Sequence, residues 1–136
     1  MILPRQSDYA YVAGLFDGEG SVYFKKTTQK KYQRRGQPVH NVTIIRMEIA
    51  MTDKDVVKWC HDLFQCGAFG ERKVKPGYKR QWRWRVAHRD AYYVAKILWP
   101  FAQVKLHKIE QIIDHYEPEY SDHNVVSLAD YRNEKR

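Results

Sequence analysis

The chain has 136 residues, with 24 lysines and arginines against 16 aspartates and glutamates, so its formal net charge is +8. Apolar residues make up 43% and charged residues 29%, which is typical of a folded domain rather than a disordered or collagen-like chain. No uncharged apolar run reaches the roughly 18 residues of a membrane span, and the polar N-terminus does not have the pattern of a signal peptide. With two cysteines in all, the composition predicts a reduced, intracellular protein, located in the cytoplasm and nucleoid or, if organelle-encoded, in the organelle matrix.

The positive charge is concentrated in two short segments. Lys25 to His40 holds six basic residues and no acid, and Glu71 to Arg89 holds eight basic residues and one acid. Both segments fall on predicted strands, so we expect a basic sheet surface that can follow phosphates. For the charge alone, a solvated face that only favours solubility is the alternative.

The hydrophobic pattern predicts four helices and four strands, because its period changes between about 3.6 residues and two along the chain. In the first half, the first predicted helix is capped by Ser7 or Asp8 and runs to about Asp17. Two strands follow over Ser21–Thr28 and His40–Met51, and a second helix begins at Thr52 with Asp55 as capping partner. The second half is predicted to contain strands over about Phe69–Lys75 and Arg80–Ala87 around a Pro76-Gly77 turn, a helix capped by Asp90, and a helix over Lys105–Tyr116. We expect one domain over residues 1–116 and a polar tail over 117–136, with one short helix around Val125–Tyr131.

The alternation gives the predicted sheet one apolar and one polar face. In the second strand Ile45, Met47 and Ile49 share one face, while Arg46 and Glu48 share the other. An antiparallel sheet of this kind carries helices on its apolar side and leaves the other side open. The expected fold class is α+β, in the order α-β-β-α-β-β-α, with a four-stranded antiparallel sheet backed by helices and any further helix in the tail.

The first predicted helix carries small residues at a spacing of four, namely Ala10, Gly14 and Gly18. A stripe of small side chains allows a second helix to approach closely. The pattern fits packing against the identical helix of a second copy, and it equally fits packing against the chain's own sheet.

The segment VAGLFDGEGS, from Val12 to Ser21, resembles the signature of the LAGLIDADG homing endonucleases. Val replaces the first Leu, Leu-Phe replaces Leu-Ile, and Gly-Glu replaces Ala-Asp, while the acid pair, the small helix residues and the following strand are in place. Further segments resemble the family at Met51–Asp55, at Trp82–Val86, and at Pro100-Phe101 followed by Lys105. The resemblance covers about Tyr9 to Tyr116, and one copy of the signature is present.

The resemblance implies a homodimeric endonuclease of intron homing, which makes Mg²⁺-dependent double-strand breaks with short 3′ overhangs in a long, pseudo-palindromic DNA target. It implies that Glu19 is a catalytic metal ligand, assisted by the Gly18 carbonyl, and that Lys105 is a catalytic cation near the scissile phosphate. Two or more Mg²⁺ ions are expected at the dimer axis, because paired carboxylates repel unless a hard cation neutralises them.

Two further sets of residues follow from this interpretation. The expected dimer interface comprises Ala10, Ala13, Gly14, Asp17 and Gly18. The expected contacts to double-stranded DNA are Tyr23, Lys25, Thr27, Arg46, Glu48, Lys73, Lys75, Arg83 and Arg85.

The sequence departs from the family pattern at two positions that bear on activity. Glu19 extends the metal-binding carboxylate by one methylene, and Asp53 stands where an uncharged polar residue often follows the threonine. A non-cleaving DNA-binding regulator and an RNA-splicing maturase that acts on intron RNA are the alternative functions on the same fold. Cys60, His61 and Cys66 lack the spacing of a zinc site.

Overall fold

The computed structural model describes residues 5–29 and 40–117. It contains two pairs of strands, each preceded by a helix, and two helices after the second pair. The elements, in chain order, are α1 (Gln6–Glu19), β1 (Gly20–Gln29), β2 (His40–Met51), α2 (Lys54–Phe64), β3 (Ala68–Arg72), β4 (Gln81–Ala87), α3 (Arg89–Leu98) and α4 (Leu106–Tyr116). The predicted connection between the first two strands and the predicted short helix around Val125–Tyr131 lie outside the described residues.

The four strands form one antiparallel sheet in the order β1-β2-β4-β3. Strand β1 pairs with β2 over its whole length, with Tyr23 opposite Arg46. Strand β2 also pairs with β4, with Glu48 opposite Arg85. The short strand β3 pairs with β4 and ends at Arg72. Strands β2 and β4 therefore form the centre of the sheet, and β1 and β3 form its two edges.

The core lies between the helices and the apolar face of this sheet. Its largest fully buried side chains come from both layers, with Phe16 on α1, Ile45 and Ile49 on β2, Leu98 on α3 and Ile109 on α4. Burial of one such side chain contributes roughly 1.5–3 kcal/mol relative to exposure. The opposite face of the sheet carries the polar residues of the alternation, so the predicted α+β fold class is confirmed.

Helix α1 begins earlier and ends later than the sequence predicts. The helix starts at Gln6, and Asp8 does not precede it but lies in its first turn, where the carboxylate accepts a hydrogen bond from the Arg5 N–H at 3.0 Å. At its other end the helix continues through Glu19, and the Gly20 N–H donates to the Phe16 carbonyl. Helix α1 therefore passes into β1 without an intervening residue.

Two other predicted caps are also displaced by one or two residues. The cap of α2 is Asp53 rather than Thr52, since the Asp53 carboxylate accepts from the Val56 N–H at 3.2 Å. The residue before α3 is His88, whose φ of 54° turns the chain out of β4, and Asp90 lies within the first turn. In both cases an acidic side chain still faces the positive end of the helix dipole.

Helix α4 packs into the core of the domain, within the expected bounds of residues 1–116. Its residues Ile109, Ile112 and Ile113 are buried against the rest of the domain. The apolar stripe that predicts the helix over Lys105–Tyr116 also supplies this burial. Within residues 5–29 and 40–117, none of the helices has the length and apolar character needed to cross a membrane.

Candidate nucleic-acid interface and metal-binding helix end

The polar side of the sheet, called here the open face, is a cationic surface that all four strands build. Alternation along the strands and the observed register place the following side chains on it: Ser21, Tyr23, Lys25 and Thr27 from β1, Arg46 and Glu48 from β2, Arg72 from β3, and Gln81, Arg83 and Arg85 from β4. Phosphate contacts require cations, and base readout requires a mixture of donors and acceptors, and this set provides both.

Arg46 is held on the open face by an aromatic ring. Its guanidinium carbon lies 4.5 Å from the centre of the Tyr23 ring, on the strand directly opposite. Its Nε atom is buried and has no hydrogen-bond partner among the residues that the structure describes. A guanidinium stacked on a ring is restrained by cation–π attraction, so Arg46 has a defined position before any ligand arrives.

Glu48 forms an ion-pair network with two arginines of β4. The Arg85 Nε donates to Glu48 Oε1 at 3.0 Å, and the Arg85 Nη2 lies 3.0 Å from the same oxygen. The Nη1 of Arg83 is 3.9 Å from it. The Glu48 side chain is 16% exposed, whereas those of Arg83 and Arg85 are 38% and 34% exposed. The carboxylate therefore lies below the two guanidinium groups.

A polar recess of about 180 Å³ lies where this network meets the start of β1. Its lining residues are Ser21, Tyr23, Arg46, Glu48 and Arg85. Ser21 follows Glu19 by two residues, so the recess adjoins the chain segment that carries the candidate metal ligand. A hydroxyl, a carboxylate and two guanidiniums in one recess are suited to the edges of nucleic-acid bases.

The remaining predicted DNA contacts occupy two different places. Lys25 is exposed and Thr27 half-buried on the open face of β1. Lys73 and Lys75 are exposed, but they lie in the loop after β3 and not on a strand, because β3 ends three residues earlier than predicted. Pairing with β4 stops at Arg72, and a proline at the centre of the loop supplies no N–H to continue it.

Arg72 is a candidate contact that the sequence reasoning missed. It is exposed at the end of β3, and its Nη1 donates to Gln81 Oε1 at 3.2 Å. The signal was present in the sequence, because two-residue alternation through Ala68 and Gly70 places Arg72 on the same face. The alternation is hard to recognise in the sequence because Ala68 has only a methyl group and Gly70 has no side chain.

The C-terminal end of α1 presents oxygen atoms to solvent. Glu19, the last residue of the helix, and Gly18 are both exposed. Carbonyls of the last helical turn have no partner further along the helix, and the helix dipole gives this end a negative partial charge. A cation is therefore favoured beside the Glu19 carboxylate.

Asp17 and the segment before α4 form a clasp that brings Lys105 to this helix end. The Asp17 carboxylate accepts from the Gln103 N–H at 2.8 Å and from the Lys105 N–H at 3.0 Å. Lys105 also donates from its Nζ to the Asp17 main-chain carbonyl at 3.0 Å. Lys105 thus contacts Asp17, the residue that precedes Gly18 by one position and Glu19 by two.

The donor set at the end of α1 fits a hard divalent cation only in part. Carboxylate and carbonyl oxygens are ligands that Mg²⁺ prefers. In residues 5–29 and 40–117, however, no group of three histidine, cysteine, aspartate or glutamate side chains is placed to hold a metal ion. At this helix end the described residues therefore offer the Glu19 carboxylate and the Gly18 carbonyl, and a full set of ligands needs further oxygens.

The small-residue stripe of α1 is accessible. Gly14 and Gly18 are exposed, and a methyl group added to either would meet no atom within 4 Å. Ala10 is half-buried beside them. Of the other residues expected at the dimer interface, Ala13 is fully buried in the core, and the Asp17 carboxylate binds the segment before α4.

The comparisons with known proteins give structural matches. No protein-family model and no curated protein sequence matches the chain. The homing endonuclease I-CvuI, solved in complex with the I-CreI target, superposes with a TM-score of 0.65 at 14% identity, over 94% of this chain and 92% of that one. The group I intron-encoded homing endonuclease I-CeuI, complexed with DNA, gives a TM-score of 0.62 at 12% identity, over 90% and 59% of the two chains.

A third match differs in length. The I-LtrWI LAGLIDADG homing endonuclease, bound to target DNA, gives a TM-score of 0.60 at 16% identity, and the superposition covers 99% of this chain but 42% of that one. The resemblance read from the VAGLFDGEGS segment is thus matched by three-dimensional structure. This chain has the fold of the LAGLIDADG homing endonucleases.

Proposed function

We propose that the chain is one subunit of a homodimeric, site-specific endonuclease that cuts double-stranded DNA with the help of Mg²⁺. The observation that carries the proposal is the junction of α1 and β1. There an exposed carboxylate, Glu19, and a clasped ammonium, Lys105, adjoin the cationic open face. A binding surface and a hydrolytic centre on one continuous segment are what a nuclease requires.

Binding to DNA follows from the charge of the open face. Lys25, Arg46, Arg83 and Arg85 lie on the strands, and further cations lie in the loop after β3. Cations on strands reach base edges and phosphates, while loop cations supply sequence-independent affinity. The similar structures of I-CvuI and I-CeuI contain DNA, which supports the same partner for this chain.

A homodimer would complete the metal site. One chain supplies one exposed carboxylate at the end of α1, and the accessible stripe of Ala10, Gly14 and Gly18 on the same helix offers a surface for a second copy. Close approach of two such helices would bring the two Glu19 carboxylates together. The length of I-LtrWI, of which this chain spans 42%, is consistent with two such units in one protein. A symmetric dimer would read a pseudo-palindromic target.

Each residue at the helix end has a chemical task in the proposed reaction. Glu19 and the Gly18 carbonyl would hold Mg²⁺, two or more ions being shared at the dimer axis, and the bound metal supplies Lewis acidity for water and phosphate. Water adds to phosphorus as the bond to the 3′ oxygen breaks, which leaves a 5′-phosphate and a 3′-hydroxyl. The Lys105 ammonium would stabilise the negative charge that develops on the phosphate oxygens.

The test is a selection followed by a cleavage assay. The protein is incubated with duplex DNA that has a random central region, in Ca²⁺, and the bound duplexes are sequenced and then exposed to Mg²⁺. We expect a long, two-fold symmetric consensus that is cut near its centre. Glu19→Gln should bind the consensus without cutting it, whereas Asp62→Asn, which removes an exposed carboxylate on α2, should cut as the wild type does.

Each other outcome contradicts the proposal in a different way. A consensus that is bound but never cut would identify a DNA-binding regulator. The absence of any consensus would contradict DNA recognition and direct attention to structured intron RNA, the partner of a maturase. Cleavage that persists in Glu19→Gln would place the metal site elsewhere.

A further inference from the structure

We propose that Glu48 is a positioning residue that orients Arg85, and with it Arg83, for base recognition, and that it does not contact DNA itself. This inference rests on the proposed function. It replaces the expectation from the sequence that Glu48 is one of the DNA contacts, and it assigns the specificity of this part of the open face to the two arginines.

The geometry of the pair determines which edge of Arg85 is presented. Glu48 and Arg85 are directly opposite in the register, and Glu48 Oε1 engages the Nε and Nη2 atoms, each at 3.0 Å. The interaction therefore occupies the Nε side of the guanidinium. The other side, formed by Nη1 and Nη2, carries two parallel N–H donors, and guanine accepts this arrangement through O6 and N7.

Burial separates the roles of the partners. The Glu48 side chain is 16% exposed, about half the exposure of the Arg85 side chain at 34%. A base that approaches the open face therefore meets the guanidiniums before the carboxylate. A carboxylate aimed directly at DNA would also face phosphate repulsion, whereas here two cations neutralise it.

The network also reduces the repulsion between two neighbouring arginines of strand β4. Arg83 and Arg85 are two residues apart on one face of the strand, so their Cα atoms are only about 7 Å apart. Among the described strand residues on the open face, Glu48 is the only acid, and it lies within 4 Å of both guanidiniums. Without this charge the two arginines would repel each other and sample more rotamers, and they would pay an ordering cost when DNA binds.

Two substitutions with the same change in charge separate positioning from general electrostatics. Glu48→Gln removes the negative charge that holds the two arginines and leaves one neutral acceptor. Glu71→Gln makes the same change in the exposed pair in which Arg80 Nε and Nη2 lie 2.8 and 2.9 Å from the Glu71 carboxylate. Both variants gain one positive charge on the same sheet. The duplexes that wild-type protein selects in Ca²⁺, and single-base variants of them, are the probes, and the dissociation constant of each is measured at one salt concentration.

The positioning role predicts a specific pattern. Glu48→Gln should lose about tenfold discrimination at the base pairs where Arg85→Ala also loses it, since one well-placed bidentate contact gives discrimination of this order. Binding to scrambled duplex should strengthen in Glu48→Gln at least as much as in Glu71→Gln, because Glu71 lies opposite Trp82 on the other face of the sheet. Combining Glu48→Gln with Arg85→Ala should add nothing to Arg85→Ala, and Glu48→Asp, which keeps the charge, should retain part of the discrimination.

Other results would overturn the inference. Loss of discrimination at a base pair that Arg85→Ala leaves intact, or additive effects in the double variant, would show that Glu48 reads a base directly. Unchanged discrimination in Glu48→Gln would show that Arg85 needs no positioning. If wild-type protein selects no consensus at all, the proposed function itself fails and this inference fails with it, a result distinct from the first two.

Discussion

Asp17 and Lys105 are 88 residues apart in sequence and joined by two hydrogen bonds, both of which Lys105 donates. The Lys105 N–H donates to the Asp17 carboxylate, and the Lys105 ammonium donates to the Asp17 main-chain carbonyl, both at 3.0 Å. The first bond fixes the backbone of Lys105 and the second fixes its charge. The position of Lys105 at the end of α1 is therefore set by the residue two before Glu19.

Replacing Asp17 by Asn should destabilise the fold. An amide has one acceptor oxygen, so one of the two N–H groups of Gln103 and Lys105 would lose its partner. We expect a loss of about 1–3 kcal/mol in the free energy of unfolding, measured by urea denaturation. Asp62→Asn, at an exposed pair on α2, should leave the midpoint unchanged. Equal midpoints for the two variants would contradict a stabilising clasp.

Replacing Lys105 by Met should impair cleavage more than binding. The substitution removes the ammonium but keeps a long side chain beside the Asp17 carbonyl, so transition-state stabilisation is lost while the surface for DNA is intact. We expect single-turnover cleavage of the selected duplex to fall by about a hundredfold, with little change in the dissociation constant. Lys108→Met, at an exposed position of α4, is the matched control. A parallel loss of binding would show that Lys105 serves as a phosphate anchor.

Replacing Gly14 by Leu should separate folding from association. Gly14 lies in the middle of a helix with open space around it, so the leucine fits the isolated chain and improves helix propensity by up to about 1 kcal/mol. At a close helix–helix contact the same side chain would prevent approach. We expect a stable monomer by sedimentation, whereas Gln111→Leu on α4 should stay dimeric. A Gly14→Leu dimer of wild-type affinity would exclude this stripe as the interface.

Replacing Lys73 and Lys75 by Ala should weaken binding without changing specificity. Both lysines lie in an exposed loop beyond the strand and not among the open-face side chains. We expect weaker binding to selected and scrambled duplexes alike. The slope of log K against log salt should also become shallower by about one unit for each phosphate contact removed. A changed base preference would instead place these lysines in the groove.

The two cysteines should differ in reactivity. Burial raises the pKa of the Cys60 thiol to about 12, and the side chain is fully buried. Cys66 is half-buried, and burial raises its pKa as well. In an aromatic-disulfide assay at pH 8 we expect one slow thiol in the native protein and two in denaturant. Cys66→Ser should abolish the native reaction, and a persistent native thiol in that variant would contradict the burial of Cys60.

The alternation of apolar and polar residues was sufficient to predict which face of the sheet is open. Ile45, Met47 and Ile49 are buried, while Arg46 and Glu48 point the other way. The prediction succeeded because side chains on a strand alternate strictly between faces. Caps were predicted less well, because a carboxylate can satisfy the same N–H groups from the cap or from the first turn, as Asp8 and Asp53 illustrate.

The contacts of the candidate site could not be predicted from local patterns. Glu48 and Arg85 are 37 residues apart, and their contact depends on the register between two strands that are not consecutive. The clasp between Asp17 and Lys105 likewise depends on how the fold brings the segment before α4 to the end of α1. The sequence identified both Glu48 and Asp17 as candidates, but only the fold shows what each one touches.

Helix α1 passes directly into β1, so no flexible linker separates the helix that would pair two subunits from the sheet that would read each half-site. Any change in the angle between two such helices would be transmitted in full to both reading surfaces, because Glu19 ends the helix and Gly20 begins the strand. The distance between the two half-sites would then be a rigid dimension of the dimer. A target lengthened by a single central base pair should therefore be rejected, even when every base in both half-sites is correct.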